Sequence, residues 1–129
     1  MRIIDGNDIS IIATGTLVSR AIAAAEQLKV EGISARVINL STVSPLDTTE
    51  ILAAAKETKA IITAEEAVTR GGAGGAIAEF VVQNHPIPMK LMGIDTFAPT
   101  GSASYLLEHY GLTADAITAA ARELLKNGR

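Results

Sequence analysis

The stretch IITAEEAVTRGGAGGAIAEF, residues 61–80, decides the fold of this chain. Two isoleucines belong to a short β-rich run, two adjacent glutamates stand where that strand should end, and a glycine cluster opens a segment rich in small residues. Glycine permits backbone conformations and close approaches that larger residues forbid. The order of strand, acids, glycines and helix predicts a β–α connection at which another segment packs very near the backbone.

Apolar, β-rich runs recur along the rest of the chain. They begin near Ile9, Ser34, Ala60 and Met89, and segments with helical spacing separate them. Strands that are apolar throughout indicate a parallel sheet covered on both faces, because a sheet with one wet face alternates apolar and polar residues. The pattern predicts an α/β fold, a three-layer sandwich whose mostly parallel sheet is covered by helices on both faces. In such sheets, ligands and partners bind beyond the carboxyl ends of the strands.

Helix starts and ends are marked by residues with capping chemistry. Gly32 is expected to close the first helix. Asp47, with Glu50 three residues later, predicts a capping box at the start of the second helix. Asn84 is placed on the inner face of the third helix, and Thr113 is expected to cap the last one.

Composition limits the classes of function. The chain has 129 residues, of which 48% are hydrophobic, and it has no cysteine and a net charge of −3. These values predict a single domain over residues 1–129, without disulfides and in keeping with a cytoplasmic protein. Without a basic cluster or a long apolar run, neither nucleic acid nor a membrane is an expected partner.

The candidate functional residues follow the predicted strands. They are candidates for anion binding or for an interface: Thr14, Gly15, Thr16, Glu65, Glu66, Arg70, Gly71, Gly72, Gly74 and Gly75. The first three favour an ordinary tight turn over a phosphate site, because neither GxGxxG nor GxxxxGK[ST] occurs.

The paired glutamates are the most conspicuous acidic feature of the candidate region. Adjacent residues of a strand point to opposite faces, so Glu65 and Glu66 cannot act together on one substrate. We expect one of them either to pair with Arg70 or to accept backbone hydrogen bonds from the glycine loop. Histidines without metal-ligand companions and serines outside a GxSxG context predict no catalytic or metal-binding residue in this chain.

The same residues resemble the C-terminal domain of the transketolase family. In that family a strand typically ends in EEH and is followed, after a few residues, by GGLG. Here Ala67 stands in the histidine position and Ala73 in the position of the bulkier residue. The resemblance covers almost the whole chain, and GIDTFAPTGSASYLLEHYGLTADAI, residues 93–117, carries it further, although APT replaces the usual Gly-Glu-Ser.

The resemblance implies one domain of an enzyme that uses thiamine diphosphate and a divalent metal, Mg, to move two-carbon ketol units between sugar phosphates. The family's cofactor motifs lie in two other domains. The resemblance therefore implies that this chain binds no cofactor or metal, is not catalytic alone, and packs on the cofactor-binding and pyrimidine-binding domains of a homodimer.

Two other assignments stay open. The same domain occurs in 1-deoxy-D-xylulose-5-phosphate synthase and in the beta subunits of 2-oxoacid dehydrogenase complexes. Alternatively, the chain is a regulatory module that binds a small anion at its strand ends.

Overall fold

Five strands and four helices make up the part of the chain that the computed structural model describes, residues 1–40, 46–68, 72–94 and 112–127. The strands are β1 (Arg2–Ile4), β2 (Ile9–Ala13), β3 (Ala35–Asn39), β4 (Ile61–Val68) and β5 (Met89–Ile94). The helices are α1 (Leu17–Val30), α2 (Thr48–Glu57), α3 (Ala73–Asn84) and α4 (Ala114–Asn127).

The five strands form one mixed sheet in the order β1-β3-β2-β4-β5. The four longer strands are parallel, and β1 pairs antiparallel with β3 at one edge. The mostly parallel sheet expected from the apolar runs is confirmed. The sequence analysis missed β1, since a strand of three residues is too short to show a period.

Each face of the sheet carries its own hydrophobic core. Alternate residues of β2 point to opposite faces, so Ile11 packs with α1 and α4, whereas Ile12 packs with α2 and α3. Both isoleucines are fully buried. Helices on both faces give the expected three-layer sandwich.

The capping residues act locally, with one correction at α2. The Asp47 carboxylate accepts a hydrogen bond from the Glu50 N–H at 3.2 Å. Glu50 does not complete a capping box, because its own carboxylate accepts from the Arg2 guanidinium at 2.6 Å. A tertiary ion pair has replaced the second half of the predicted motif.

The other two predicted positions have different outcomes. The Thr113 hydroxyl accepts from the Ala116 N–H at 3.1 Å, which confirms the cap of α4. The placement of Asn84 on the inner face of α3 is wrong: its side chain is exposed, and its amide donates to the Phe80 carbonyl at 2.8 Å. An amide at a helix end gains more from the last carbonyls than from an apolar core.

Candidate functional site

The candidate residues that the structure describes lie at the carboxyl edge of the sheet, near the ends of β2 and β4. The two strands are neighbours, with Ala13 paired to Ala64, and the Thr14 N–H donates to the Ala64 carbonyl at 3.1 Å. After β2 the chain turns to α1 on one face, and after β4 it leads to α3 on the other. This divergence is the topological switch point at which open α/β sheets bind ligands or partners.

The connection from β2 to α1 is a tight turn closed by the backbone. Gly15 has a φ of 57°, in the left-handed region that favours glycine. The N–H of Leu17 donates to the Thr14 carbonyl at 3.1 Å, and that of Val18 donates to the Gly15 carbonyl at 3.2 Å. The first two N–H groups of α1 are thus engaged within the turn, as the ordinary-turn interpretation expects.

The connection from β4 to α3 is closed by a side chain instead. Glu65 is only 4% exposed, and both carboxylate oxygens accept hydrogen bonds. Oε2 accepts from the Ala73 N–H at 2.8 Å, and Oε1 accepts from the Gly74 N–H at 2.9 Å. The negative charge lies at the positive end of the helix dipole, where it is stabilising.

This geometry decides between the two roles expected for a glutamate here. Glu65 accepts hydrogen bonds from two backbone N–H groups within the glycine cluster, which is the second of those roles. The side chain of Glu66 lies outside the described residues, as do Arg70 and Gly71. Pairing of Glu66 with Arg70 therefore stays a prediction.

β4 is irregular where the two glutamates stand. Ala64 pairs with Met92 and Val68 pairs with Ile94, so four steps along β4 match two steps along β5. The extra residues interrupt the pleat at positions 65–67. Such bulges re-aim side chains at the ends of strands, and here the irregularity accompanies the inward carboxylate of Glu65.

Gly74 provides the close approach that the glycine cluster predicts. A Cβ added to this residue would lie 2.7 Å from Thr63 Oγ1, 3.1 Å from Glu65 Oε1 and 3.2 Å from Leu91 Cγ. No larger residue fits without displacing the strand, the carboxylate or the helix. Gly72 is the half-buried residue that precedes α3, in extended conformation, and Gly75 is half-buried in the first turn.

Thr63 is a member of the site that the sequence analysis did not single out. Its side chain is 2% exposed, and Oγ1 has no hydrogen-bond partner in the part of the chain that the structure describes. No sequence signal distinguishes this residue, because threonine is common in strands for its β-branched shape. Its position beside Gly74 appears only once α3 packs on β4.

The small residues of α3 divide between two sides of the helix. Ala73 and Gly74 are buried against the sheet, whereas Ala76 and Ala78 are half-buried, and Val82 is 65% exposed. A partner that approaches α3 from outside meets Ala76, Ala78 and Val82 rather than Ala73. The interface expected on this helix stays a prediction, restricted to its outer side.

Two grooves in the described part of the chain lie away from this edge. Grooves of about 450 and 430 Å³ run between α1 and β1, and between α4 and β5. Within the described residues, no three carboxylate or imidazole side chains are close enough to hold a metal ion. None of the described helices has the length and apolarity required to cross a membrane.

Comparison with known proteins gives one consistent family. The family model "Transketolase, C-terminal domain" matches residues 2–117. The chain is 44% identical over 121 residues to a 6-deoxy-6-sulfo-D-fructose transketolase subunit of Clostridium sp. (strain MSTE9), covering 93% of this chain and 38% of that protein. It is 43% identical over 121 residues to the 1-deoxy-D-xylulose-5-phosphate synthase of Heliobacterium modesticaldum, covering 92% of this chain and 19% of the synthase.

A solved structure agrees with these relatives over the whole chain. A solved structure described as a split gene transketolase, inactive beta4 tetramer, superposes with a TM-score of 0.92 at 35% identity, covering 100% of this chain and 43% of the other. The chain thus spans less than half the length of each of these relatives. With the family model matched over nearly all of its length, the chain belongs to the family of transketolase C-terminal domains.

Proposed function

We propose that this chain is the C-terminal domain or subunit of a thiamine diphosphate-dependent transketolase, an enzyme that transfers two-carbon ketol units between sugar phosphates. The observation that carries the proposal is the superposition of the entire chain on a split gene transketolase, with a TM-score of 0.92. The chain forms one domain, residues 1–129, and the remainder of the enzyme comes from other segments.

The part that this chain plays is assembly rather than catalysis. The two helix starts at the carboxyl edge have their leading N–H groups engaged by Thr14, Gly15 and Glu65. The described residues also bring together no metal-binding cluster. Thiamine diphosphate and its metal, Mg, do not fit this donor set, so we assign their contacts to the cofactor-binding and pyrimidine-binding domains. We place the complete enzyme in the cytoplasm, as a homodimer of the pentose phosphate pathway.

A second candidate is the C-terminal domain of 1-deoxy-D-xylulose-5-phosphate synthase. It is supported by the 43% identity to that enzyme from Heliobacterium, nearly equal to the identity with the transketolase subunit. A regulatory anion-binding module has less support from the geometry, because both helix starts at the switch point are closed from within the chain.

Activity with defined substrates separates the two enzymes. The chain is produced together with the thiamine-binding segments proposed to complete the enzyme, and the complex is assayed with thiamine diphosphate and Mg. Ketol transfer from a ketose phosphate to an aldose phosphate supports a transketolase. Condensation of pyruvate with glyceraldehyde 3-phosphate, with release of CO₂, would instead identify the synthase, and absence of both reactions would contradict the proposed function.

A titration of the isolated chain tests whether it has any cofactor site of its own. We expect no micromolar binding of thiamine diphosphate with Mg in a calorimeter. Micromolar binding by the chain alone would contradict the assignment of the cofactor contacts to other domains.

Hydrogen exchange tests the assembly surface. Addition of the cofactor-binding segments is expected to slow exchange in residues 72–82, at the start and outer side of α3. Protection confined to the outer face of α4, with no change in α3, would show that the interface lies elsewhere.

A further inference from the structure

Two backbone N–H groups in the first turn of α3 and a hydroxyl of β4 lie around one buried region. The N–H groups of Ala73 and Gly74 donate to the two oxygens of Glu65, at 2.8 and 2.9 Å. Thr63 Oγ1 and Glu65 Oε1 lie 2.7 and 3.1 Å from the position that a Cβ on Gly74 would take. A carboxylate thus lies against a helix start, and the Thr63 hydroxyl, which does not bond to that carboxylate, borders the same close approach at Gly74.

The Thr63 hydroxyl distinguishes this arrangement from a helix start that is capped by a carboxylate alone. The side chain is 2% exposed, and Oγ1 has no hydrogen-bond partner among the described residues. A buried hydroxyl without a partner is unfavourable, because its hydrogen bonds to water are lost on folding and no hydrogen bond within the protein replaces them. The space beside Gly74 therefore offers one donor more than the Glu65 carboxylate uses.

We propose that Thr63, Ala73 and Gly74 form a carboxylate-binding pocket, occupied in the intact chain by the chain's own Glu65. Helix starts attract anions because their N–H groups point outward and the helix dipole is positive there. With Glu65 in place, an external anion has no access to these donors. When the side chain is truncated, a small free carboxylate takes its position. This inference does not depend on the enzyme's activity.

Formate rescue of Glu65→Ala tests the pocket in the 129-residue chain. The truncation removes both oxygens, and we expect the melting temperature to fall by about 5 °C or more, the effect of losing a charged helix cap. Sodium formate should then raise the melting temperature of this variant in a saturable manner. Sodium chloride at the same ionic strength should not do so.

Two controls make the rescue specific. Glu79→Ala removes an exposed glutamate from the same helix, and neither this variant nor the unchanged chain should respond to formate beyond the chloride effect. Formate is not tethered to the backbone as Glu65 is, so in the Glu65→Ala background it can also accept from the Thr63 hydroxyl, which Glu65 leaves without a partner among the described residues. Thr63→Val in that background should therefore weaken formate binding about tenfold, because a hydrogen bond to a charged group is lost. If Glu65→Ala is unfolded at room temperature, the same titration is followed by circular dichroism as formate-induced folding.

Glu65→Gln tests whether the pocket requires a carboxylate or only a side chain of this volume. The amide keeps the volume but presents an NH₂ group to one of the two N–H donors, so we expect a lower melting temperature that formate does not restore. The proposal is overturned if Glu65→Ala shows no formate response, if Glu79→Ala responds equally, or if Glu65→Gln is as stable as the unchanged chain.

Discussion

The connections that follow β2 and β4 solve the same problem by different means. Each joins the carboxyl end of a parallel strand to the start of a helix, where backbone N–H groups lack partners within the helix. After β2, the carbonyls of Thr14 and Gly15 accept from residues three positions later. After β4, a buried carboxylate accepts from residues eight and nine positions later.

The difference concerns how far each connection depends on the rest of the fold. The turn after β2 needs only a glycine with a positive φ, and the site of its missing Cβ meets nothing within 4 Å. The connection after β4 needs Gly74, Glu65, Thr63 and Leu91 to be in place together. We therefore expect substitutions after β2 to have local effects and those after β4 to disturb the packing of helix on sheet.

Gly74→Val should give the largest effect. A branched side chain would overlap Thr63 and Glu65, and overpacking of this kind costs about 3 kcal/mol. Urea unfolding measures the change in the free energy of unfolding. Ala78→Val, on the half-buried outer side of the same helix, should cost only about 0.5 kcal/mol. Equal losses for the two variants would mean that α3 does not depend on close approach at Gly74.

Gly15→Ala tests the turn after β2 and should cost less. The residue has a φ of 57° and open space around it, so the penalty comes from backbone conformation alone, about 1 kcal/mol. Gly15→Asn serves as the control, since asparagine tolerates the left-handed region better than alanine does. If alanine and asparagine were equally destabilising in thermal unfolding, the positive φ would not be the cause.

Thr63→Val should be neutral or slightly stabilising. Valine has the same shape and removes a buried hydroxyl that has no partner. The matched control is Thr58→Val, because Thr58 is also buried but its hydroxyl donates to the Ala54 carbonyl at 2.6 Å. The control should lose about 1 kcal/mol in urea unfolding. A comparable loss in Thr63→Val would reveal a partner for that hydroxyl.

An exposed carboxylate, Glu31, should have only a small effect on stability, in contrast to the buried carboxylate of Glu65. Glu31 joins α1 to α4 through hydrogen bonds with Arg122 at 2.7 and 2.5 Å, and the pKa of Glu31 is lowered, chiefly by these bonds. A lowered pKa stabilises the fold above the unfolded value of about 4.3, and this contribution is lost as the pH falls through the folded pKa. The melting temperature of Glu31→Gln should therefore lie only slightly below that of the unchanged chain, and the difference should be smallest at low pH. A larger difference in melting temperature at low pH than at neutral pH would contradict a lowered pKa of Glu31 in the folded state.

The sequence by itself determined the features that depend on near neighbours along the chain. The apolar runs indicated the four parallel strands, Asp47 and Thr113 were expected as caps, and Gly32, with a φ of 81°, closes α1. Hydrogen bonds of this kind join residues three or four positions apart, so a short window of sequence contains both partners. The quoted motifs likewise sufficed to place the chain in its family.

Tertiary structure alone decided which of the expected partners each residue takes. The Glu50 carboxylate accepts a hydrogen bond from Arg2, 48 residues away, instead of completing its capping box. Gly6 lies so close to β3 that a Cβ would come within 2.4 Å of the Ala35 backbone. The Glu65 carboxylate accepts from the first N–H groups of α3, although its sequence context also allowed an ion pair with Arg70. These choices depend on burial and on distances between strands and helices, which exist only after the sheet has formed, so no local pattern contains them.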